Sequence, residues 1–407
     1  MRVAYIVPYI PNRIRVRSYN LLVHLSKLGV DLSLFTIATS ARDAADAITL
    51  KPKLADVFMR DQSLIRSLLN CLLALPSMTP FQSVYSWNPH LQLDFVVQHR
   101  QKKFDLVHVE HLRGSKYARN IRAMFPNLPV VWDSVDCISH LFAQTSDHSR
   151  SFSGKIMSVL ELDRTRGAEA ELVNLFDHVL ITSQIDKEAL LQLAPPSNTV
   201  KPISVLPNGV DLEYFKRTTE KPRDTQTIVF SGKMSYHANV SMVDYLVREI
   251  MPTVWEKYPA LKLIIVGKDP PRRIWELTRN PLVEVTGTVD DIRPYLWAAT
   301  VAVVPLVYGA GIQNKILEAM ACETPVVTTS QAFSSLFATP GVHALVGDSA
   351  NDFSAAIISL IENPSLQRKL GLSGYAYVTA YHDWNKMASE LFALYQHVIS
   401  TEGQEQP

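Results

Sequence analysis

Short, nearly continuous apolar runs recur along the first half of the chain. They lie at residues 3–7, 32–37, 106–109, 130–132 and 179–182. Runs that lack apolar–polar alternation are typical of parallel strands covered on both faces. Between the first two runs, leucines fall at helical spacing before Gly29, which predicts a helix with a glycine stop. The first half therefore predicts alternating strands and helices.

The second half of the chain restarts the same pattern. Strands are predicted at residues 228–230, 261–266, 283–286, 301–304 and 325–328, with helices at 239–257, 291–298 and 312–322. Two such series predict an α/β protein of two doubly wound, Rossmann-like domains, whose strand ends face a shared cleft. The turn signal Pro207-Asn208-Gly209 places the boundary between residues 1–206 and 207–383.

Two helices leave alternatives open. The last, within residues 384–407, carries an apolar face from Trp384 to Val398. It either caps the second domain or crosses back to the first. Residues 63–75 form a strongly apolar segment with Arg66 as its only basic residue. We favour a core helix there over a helix lying in a membrane interface.

Composition narrows the class of protein. The 407 residues carry a formal net charge of +1, which gives no sign of a nucleic-acid-binding face. The three cysteines, at 71, 137 and 322, form no CxxC pair, and no Asp-x-Asp or histidine cluster suggests a metal. An uninterrupted apolar run of ~18 residues is also missing. We expect a cytoplasmic protein, with peripheral membrane contact of residues 63–75 left open.

The segment that follows the predicted strand 301–304 is the most informative in chemical terms. Gly309 and Gly311 open a helix, whose free N–H groups and dipole favour an anion. Lys315 and Glu318 follow Gly311 on one stripe of that helix. This order suits a nucleoside diphosphate, because the amides and cation would meet phosphates and the carboxylate would accept ribose hydroxyl hydrogens. An ordinary surface Lys–Glu pair is the alternative.

The same segment resembles the signature of retaining GT-B glycosyltransferases, in particular glycosyltransferase family 4. Glu318-Ala319-Met320-Ala321 and Thr324-Pro325-Val326-Val327 carry the resemblance, together with the interdomain stretch 206–211 and the loop 230–234. Ala310 stands at the position of the family's first glutamate, and Glu323 stands where a glycine is usual. The resemblance covers most of the second half and the first half only loosely.

The resemblance implies transfer of a sugar, with retention, from a UDP- or GDP-type donor to a saccharide or a lipid-linked saccharide. It implies no metal and no other cofactor, and it fits polysaccharide biosynthesis. The implied donor-binding residues are Gly232, Lys233, Gly287, Val289, Gly311, Ile312, Gln313, Lys315 and Glu318.

The first half is expected to hold the acceptor. Asn12, Arg15 and Arg17 follow the first strand, and arginines suit a phosphate-bearing acceptor. A solvated helix start is an equal alternative. His111, Asp133 and Asp136 follow two further strands and are the candidate catalytic residues, for which we expect positioning roles rather than covalent catalysis. Each is also a residue type that serves as a structural polar group.

Two rival functions stay open at this level. One is a sugar-nucleotide epimerase of the same fold. The other is a non-catalytic binding protein, which Ala310 and the missing second lysine of the 230–239 loop favour.

Overall fold

The computed structural model describes residues 1–12, 15–148, 152–194, 201–218, 223–224, 226–309 and 311–402. The chain forms two compact units. The first comprises Met1–Pro207 with Trp384–Pro407, and the second comprises Asn208–Asp383.

Within the described residues, the first unit is built on a seven-stranded parallel sheet of order β3-β2-β1-β4-β5-β6-β7. Its strands are β1 (Arg2–Val7), β2 (Asp31–Ala38), β3 (Asp56–Asp61), β4 (Leu106–Glu110), β5 (Val130–Val135), β6 (His178–Ile181) and β7 (Ile203–Val205). The edge strands β3 and β7 escaped the sequence pattern, because an edge strand is only partly buried and need not be continuously apolar.

Helices cover both faces of this sheet. They are α1 (Val16–Lys27), α2 (Ala41–Leu50), α3 (Leu64–Ala74), α4 (Phe81–Tyr85), α5 (Pro89–Gln101), α6 (His111–Met124), α7 (Ile138–His148), α8 (Phe152–Leu175) and α9 (Gln184–Leu193), with a 3-10 turn at Lys51–Lys53. Successive strand residues serve opposite cores: Ala4 packs with the α5, α6 and α8 side, whereas Tyr5 packs with α1.

The second unit is a parallel sheet of order β10-β9-β8-β11-β12-β13 in the described part of the chain. Its strands are β8 (Thr227–Ser231), β9 (Lys262–Val266), β10 (Val283–Gly287), β11 (Val301–Val304), β12 (Val326–Thr328) and β13 (Leu345–Val346). The two parallel sheets with interleaved helices confirm the predicted α/β class.

The helices of the second unit follow the same alternation. They are α10 (Leu212–Phe215), α11 (His237–Tyr245), α12 (Met251–Lys257), α13 (Arg272–Trp275), α14 (Arg293–Ala298), α15 (Asn314–Ala321), α16 (Ser330–Phe333), α17 (Ala350–Glu362) and α18 (Pro364–Tyr381), with a 3-10 turn at Glu276–Arg279. The predicted helix 239–257 is interrupted by a π-helical turn at Leu246–Ile250. Pro252 follows that turn and has no amide hydrogen to donate.

The two ends of the second unit lie side by side. The Val210 amide donates to the carbonyl oxygen of His382 at 2.7 Å, and Val210 and Asp383 form a parallel bridge. His382 Nδ1 donates to the carbonyl oxygen of Asn208 at 2.6 Å. The chain therefore enters and leaves this unit at one place.

The last helix, α19 (Trp384–Glu402), belongs to the first unit. Trp384, Leu391 and Tyr395 are buried in the same core as Leu21 and Leu25 of α1. The sequence left two placements of this helix open, and in the structure α19 crosses back to the first unit.

The prediction of a core helix at residues 63–75 is wrong. The large apolar side chains of α3 point to solvent, with Leu73 at 78% and Ile65 at 72% exposed, whereas its buried residues are Ser67 and Ala74. Apolar residues occupy most positions of α3, so its sequence has no clear polar side. The sequence therefore could not specify which face would be buried. None of the helices in the described ranges is both long and apolar enough to cross a bilayer.

Candidate active site

The loop between β11 and α15 brings two glycines to the start of a helix. Gly309 and Gly311 have φ angles of +151° and +72°, and the latter lies in the left-handed region that favours glycine. Gln313 precedes α15, and its side chain makes no capping hydrogen bond to any described residue. An uncapped helix start at the positive end of the dipole suits an anion. Ala310 lies outside the described residues.

Lys315 and Glu318 lie on one stripe of α15, as the sequence predicts. Both side chains are half-buried among protein atoms and keep part of their surface accessible to solvent. Burial lowers the pKa of Lys315 to about 7 and raises the pKa of Glu318 to about 7, and each charge partly offsets the other's shift. Among the described residues, neither joins an ion pair within 4.0 Å, and the Glu318 carboxylate accepts no hydrogen bond. A ligand with hydroxyl donors and anionic oxygens would satisfy both.

Asn239 of α11 connects the lysine to the loop after β8. Its Oδ1 accepts from Lys315 Nζ at 2.5 Å, and its Nδ2 donates to the carbonyl oxygen of Lys233 at 2.8 Å. The side chain is 6% exposed. The sequence analysis did not select Asn239, because it lies 76 residues from Lys315 along the chain. The one available signal was its position at the end of the 230–239 stretch.

The loops after β8 and β9 touch. A Cβ on Gly267 would lie 1.7 Å from the carbonyl oxygen of Gly232, so only glycine fits there. The Gly232 amide donates to the Val266 carbonyl at 3.0 Å. This contact fixes the backbone before Lys233, whose side chain is exposed and forms no ion pair with a described residue. Gly267 was not among the predicted site residues.

The remaining predicted donor-binding residues would contact a ligand mainly through backbone N–H and C=O groups. Gly287 ends β10 with a φ of +69°, and Val289 follows it half-buried. Ile312 is 8% exposed and packs into the core, while Gln313 is half-buried. These positions lie at carboxyl ends of parallel strands, where ligands of doubly wound sheets bind.

In the first unit, Arg17 and Asp133 form a buried ion pair. Arg17 Nε and Nη2 each lie 2.8 Å from Asp133 Oδ2, and the side chains are 5% and 0% exposed. Arg17 also donates to the carbonyl oxygen of Leu206 at 3.0 Å. The Asp133 charge and hydrogen bond outweigh burial, so the pKa of Arg17 is raised. The guanidinium predicted to meet the acceptor is therefore committed inside the unit and ties α1 to β5.

The last helix contributes to this buried cluster. The hydroxyl of Tyr395 hydrogen-bonds His108 Nδ1 at 2.8 Å, and His108 stacks on Tyr5 with ring centroids 4.1 Å apart. Burial lowers the pKa of His108 to about 4, which keeps the ring neutral beside Asp133 at physiological pH.

Glu110 is a second carboxylate at the same strand tips. It pairs with Asp133 in the register of β4 and β5 and accepts a hydrogen bond from the hydroxyl of Tyr9. Burial, together with the Asp133 charge, raises the pKa of Glu110 to about 7. Glu110 is the last residue of β4, directly before His111, and the sequence analysis did not select it.

Unusual backbone marks the ends of both strands. His111, directly after β4, has a φ of +67°, and Val135, at the end of β5, has a φ of +68°. Left-handed backbone is unfavourable for a β-branched residue and is often retained at functional sites. Burial and the nearby Arg113 lower the pKa of His111 to about 3, which keeps the ring neutral at physiological pH and makes it a weak base, while its Nδ1 accepts from the Arg113 amide at 3.4 Å.

Asp136 lies just beyond β5. Burial and the neighbouring Asp186 raise the pKa of Asp136 to about 7, while Thr182 Oγ1 donates to its Oδ1 at 3.4 Å. A carboxyl group with a pKa near neutrality can either accept or donate a proton.

Arg15 lines a cavity of about 510 Å³ in the first unit, whereas Asn12 donates to Asp46 at 2.9 Å beside it. Arg113 of α6 lines the same cavity and was missed, because its position in a helix gave no motif. The structure thus brings together the predicted His111, Asp133 and Asp136 with Glu110, and it gives Arg15 and Arg17 different surroundings, the cavity and the buried Asp133.

Comparison with known proteins adds to this geometry. Residues 225–363 match the family model described as glycosyl transferases group 1. A phosphatidyl-myo-inositol mannosyltransferase of Mycobacterium leprae is 28% identical over 207 residues, covering 48% of this chain and 54% of that protein. The chain spans about half the length of the curated relatives it matches first.

Solved structures extend the likeness to nearly the whole chain. Sucrose-phosphate synthase from Thermosynechococcus elongatus aligns with a TM-score of 0.76 at 19% identity, over 98% of this chain and all of that one. The Anabaena protein HepE, solved with UDP and glucose, aligns with a TM-score of 0.65 at 15% identity and the same coverage. The chain therefore has the GT-B fold, and residues 225–363 of its second unit are similar to the glycosyl transferases group 1 model.

Proposed function

We propose that the chain is a glycosyltransferase that moves a sugar from a nucleoside diphosphate to a saccharide or lipid-linked acceptor, with retention and without a metal ion. The observation that carries the proposal is the Lys315–Glu318 stripe at the glycine-flanked start of α15. Both side chains are buried enough to move their pKa values to about 7, and neither is neutralised by a direct ion pair among the described residues.

The donor would bind along this stripe. Lys233, Lys315 and the amides at Gly311 and Ile312 would face the diphosphate, and Glu318 would accept hydrogen bonds from the ribose. Gly287 and Val289 would present backbone groups to the base. HepE, which has this fold, was solved with UDP, and we propose a donor of the UDP or GDP type.

Stabilisation of the departing diphosphate would supply most of the catalytic effect. Negative charge builds on the phosphate oxygens as the glycosidic bond breaks, and fixed amides and ammonium groups stabilise it without reorganisation. Lys315 is held in place by Asn239, so it is positioned before the ligand arrives.

On the acceptor side, we assign different roles to the three predicted catalytic residues. Asp133 is a positioning residue, because both it and Arg17 are buried in their ion pair. Asp136 is the group able to take the proton of the acceptor hydroxyl, because its pKa lies near neutrality, whereas the neutral ring of His111 would help to position the acceptor. Arg15 borders the cavity that would take part of the acceptor.

A direct test incubates the purified chain with UDP- and GDP-sugars and a panel of saccharide and lipid-linked acceptors. We expect release of one nucleoside diphosphate only with an acceptor, and NMR of the product would show the anomeric configuration of the donor. Nucleotide release without acceptor would instead indicate an epimerase or hydrolase. Calorimetry that detects no affinity for any nucleoside diphosphate would contradict the proposal and favour a non-catalytic protein.

A further inference from the structure

Helix α3 exposes its large apolar residues to solvent and turns polar residues toward the protein, which is the reverse of an ordinary surface helix. Two polar side chains of α3 face the protein. Ser67 Oγ accepts a hydrogen bond from Gln62 Nε2 at 3.3 Å, and Asn70 Nδ2 donates to the carbonyl oxygen of Trp87 at 2.9 Å. Its apolar residues face outward, and the side chains more than half exposed are Leu64, Ile65, Leu68, Leu69, Leu72 and Leu73, continued by Leu75 and Met78. We call these eight side chains the α3 face.

Such a contiguous apolar face needs a partner. Covering one leucine-sized side chain is worth ~1.5–3 kcal/mol, so leaving all eight in water is costly. The charge around the face favours an anionic surface. No acidic residue occurs in the sequence between Asp61 and Asp94, and Glu161, which lies near Cys71 of α3, is only 3% exposed, whereas Arg66 lies within α3. Arg164 donates to the carbonyl oxygen of Leu75 at 3.0 Å, at the other end.

The cavity of the first unit shares a wall with α3. Leu64 and Ser67 line it, along with Tyr85, Arg15 and Arg113. Its volume of about 510 Å³ is in the range of small-molecule sites.

The two arginines give this cavity an anion-binding character. Burial lowers the pKa of Arg113, and its Nε has no hydrogen-bond partner among the described residues. Arg15 borders the cavity with its side chain 40% exposed, and its ion pair with Asp43 is long at 3.8 Å. Guanidinium groups of this kind are suited to a phosphate group.

We propose that the α3 face lies in an anionic lipid surface and that the adjoining cavity takes the phosphate-bearing head group of a lipid-anchored acceptor. This inference rests on the proposed glycosyltransferase function and names its acceptor class. A lipid is favoured over a soluble phosphate ester, because the apolar wall of the cavity continues directly into the exposed α3 face.

The first experiment is co-sedimentation of the full chain with vesicles. Wild-type protein is expected to bind vesicles of equimolar phosphatidylcholine and phosphatidic acid, and to bind phosphatidylcholine alone more weakly. The L69Q/L73Q double variant should lose binding roughly tenfold or more, because its substitutions remove exposed apolar area. The matched control is L93Q, which alters an exposed leucine of α5 and should bind as the wild type does.

A second arm tests the cavity. R113Q should bind phosphatidic acid vesicles several-fold more weakly and phosphatidylcholine vesicles unchanged. Soluble glycerol 3-phosphate should compete poorly. Effective competition would overturn the lipid assignment in favour of a soluble phosphate ester.

The remaining outcomes separate this inference from the proposed function. The lipid-surface inference is overturned if the wild-type protein does not bind vesicles, or if L69Q/L73Q binds them as well as the wild type. It is also overturned if sedimentation shows that the α3 face mediates self-association. Calorimetry with UDP and GDP on the same variants should give wild-type affinity. Intact nucleotide binding without vesicle binding defeats the lipid assignment alone, whereas the reverse result defeats the donor assignment alone.

Discussion

Two pairs of opposite charge lie near the carboxyl ends of strands, a fully buried pair in the first unit and a half-buried pair in the second, and they differ in how well each charge is compensated. Arg17 and Asp133 contact each other directly at 2.8 Å, and the pKa of Arg17 is raised. Lys315 and Glu318 make no such contact, and burial moves the pKa of each to about 7, from opposite directions.

The difference separates a structural pair from a pair suited to a ligand. Burying a charge costs free energy unless a partner compensates it. In the first unit the compensation is internal, so the pair holds α1 against β5. In the second unit it is incomplete, and a bound diphosphate and ribose would complete it. Residue type alone did not distinguish these cases.

The largest expected effect comes from removing one member of the satisfied pair. Asp133→Asn would leave the Arg17 charge buried without its counter-charge and should lower the free energy of unfolding by about 3–5 kcal/mol. Denaturant titration followed by circular dichroism would measure the loss. The double variant R17M/D133L, which removes both charges, should recover most of that stability. Equal losses in both variants would contradict the role given to the pair.

A smaller effect is expected from the unsatisfied pair, and on binding rather than on stability. Lys315→Ala should weaken binding of the preferred nucleoside diphosphate by about 1.5–3 kcal/mol, the value of one charge-assisted contact. Calorimetry measures this change. The control is Lys262→Ala, because Lys262 is exposed at the amino end of β9, away from the proposed site. Unchanged affinity in Lys315→Ala would count against its role.

The pH dependence of binding gives a finer test. With a free-state pKa of about 7, Lys315 loses its proton as pH rises, while bound diphosphate favours the protonated form. The contribution of Lys315 to affinity should therefore fall roughly fivefold between pH 7 and pH 8, as its protonated fraction drops from about a half to about a tenth, while Glu318 titrates over the same range. Lys315→Arg keeps its charge throughout and should flatten this limb. A limb that persists in the arginine variant would point to another group.

The smallest effect concerns the far end of α15. Glu323 has a φ of +55° just after the helix, the position where the resembling family carries glycine. Glu323→Gly should raise the free energy of unfolding by roughly 1 kcal/mol by relieving left-handed strain. Glu323→Ala, which keeps the Cβ, should give no such gain. Nucleotide affinity should be unchanged in both, because the Lys315–Glu318 pair is untouched.

The sequence predicted the stripe of the proposed second-unit site because Lys315 and Glu318 share one helix. Lys315 and Glu318 are three residues apart in α15, and helical periodicity fixes their common stripe without tertiary information, whereas Gly311 lies in the loop before α15 with a left-handed φ of +72°. Asn239 and Gly267 escaped, because their roles depend on contacts with Lys315 and Gly232 that sequence spacing cannot express.

In the first unit, prediction reached the strand tips but not the partnerships among them. The positions of His111, Asp133 and Asp136 at strand ends were predicted because these residues follow apolar runs. The pairing of Arg17 with Asp133 spans 116 residues, and that of His108 with Tyr395 spans 287. Such pairings are set by sheet order and by the course of the last helix.

By itself, the sequence determined the α/β class, the two series of parallel strands and the stripe on α15, because each depends on local periodicity. Only the tertiary structure decided that α19 packs on the first unit, that the α3 face is exposed, and that Arg17 is committed to Asp133. These outcomes depend on which surfaces and charges find partners, and a partner far along the chain leaves no signal in local spacing.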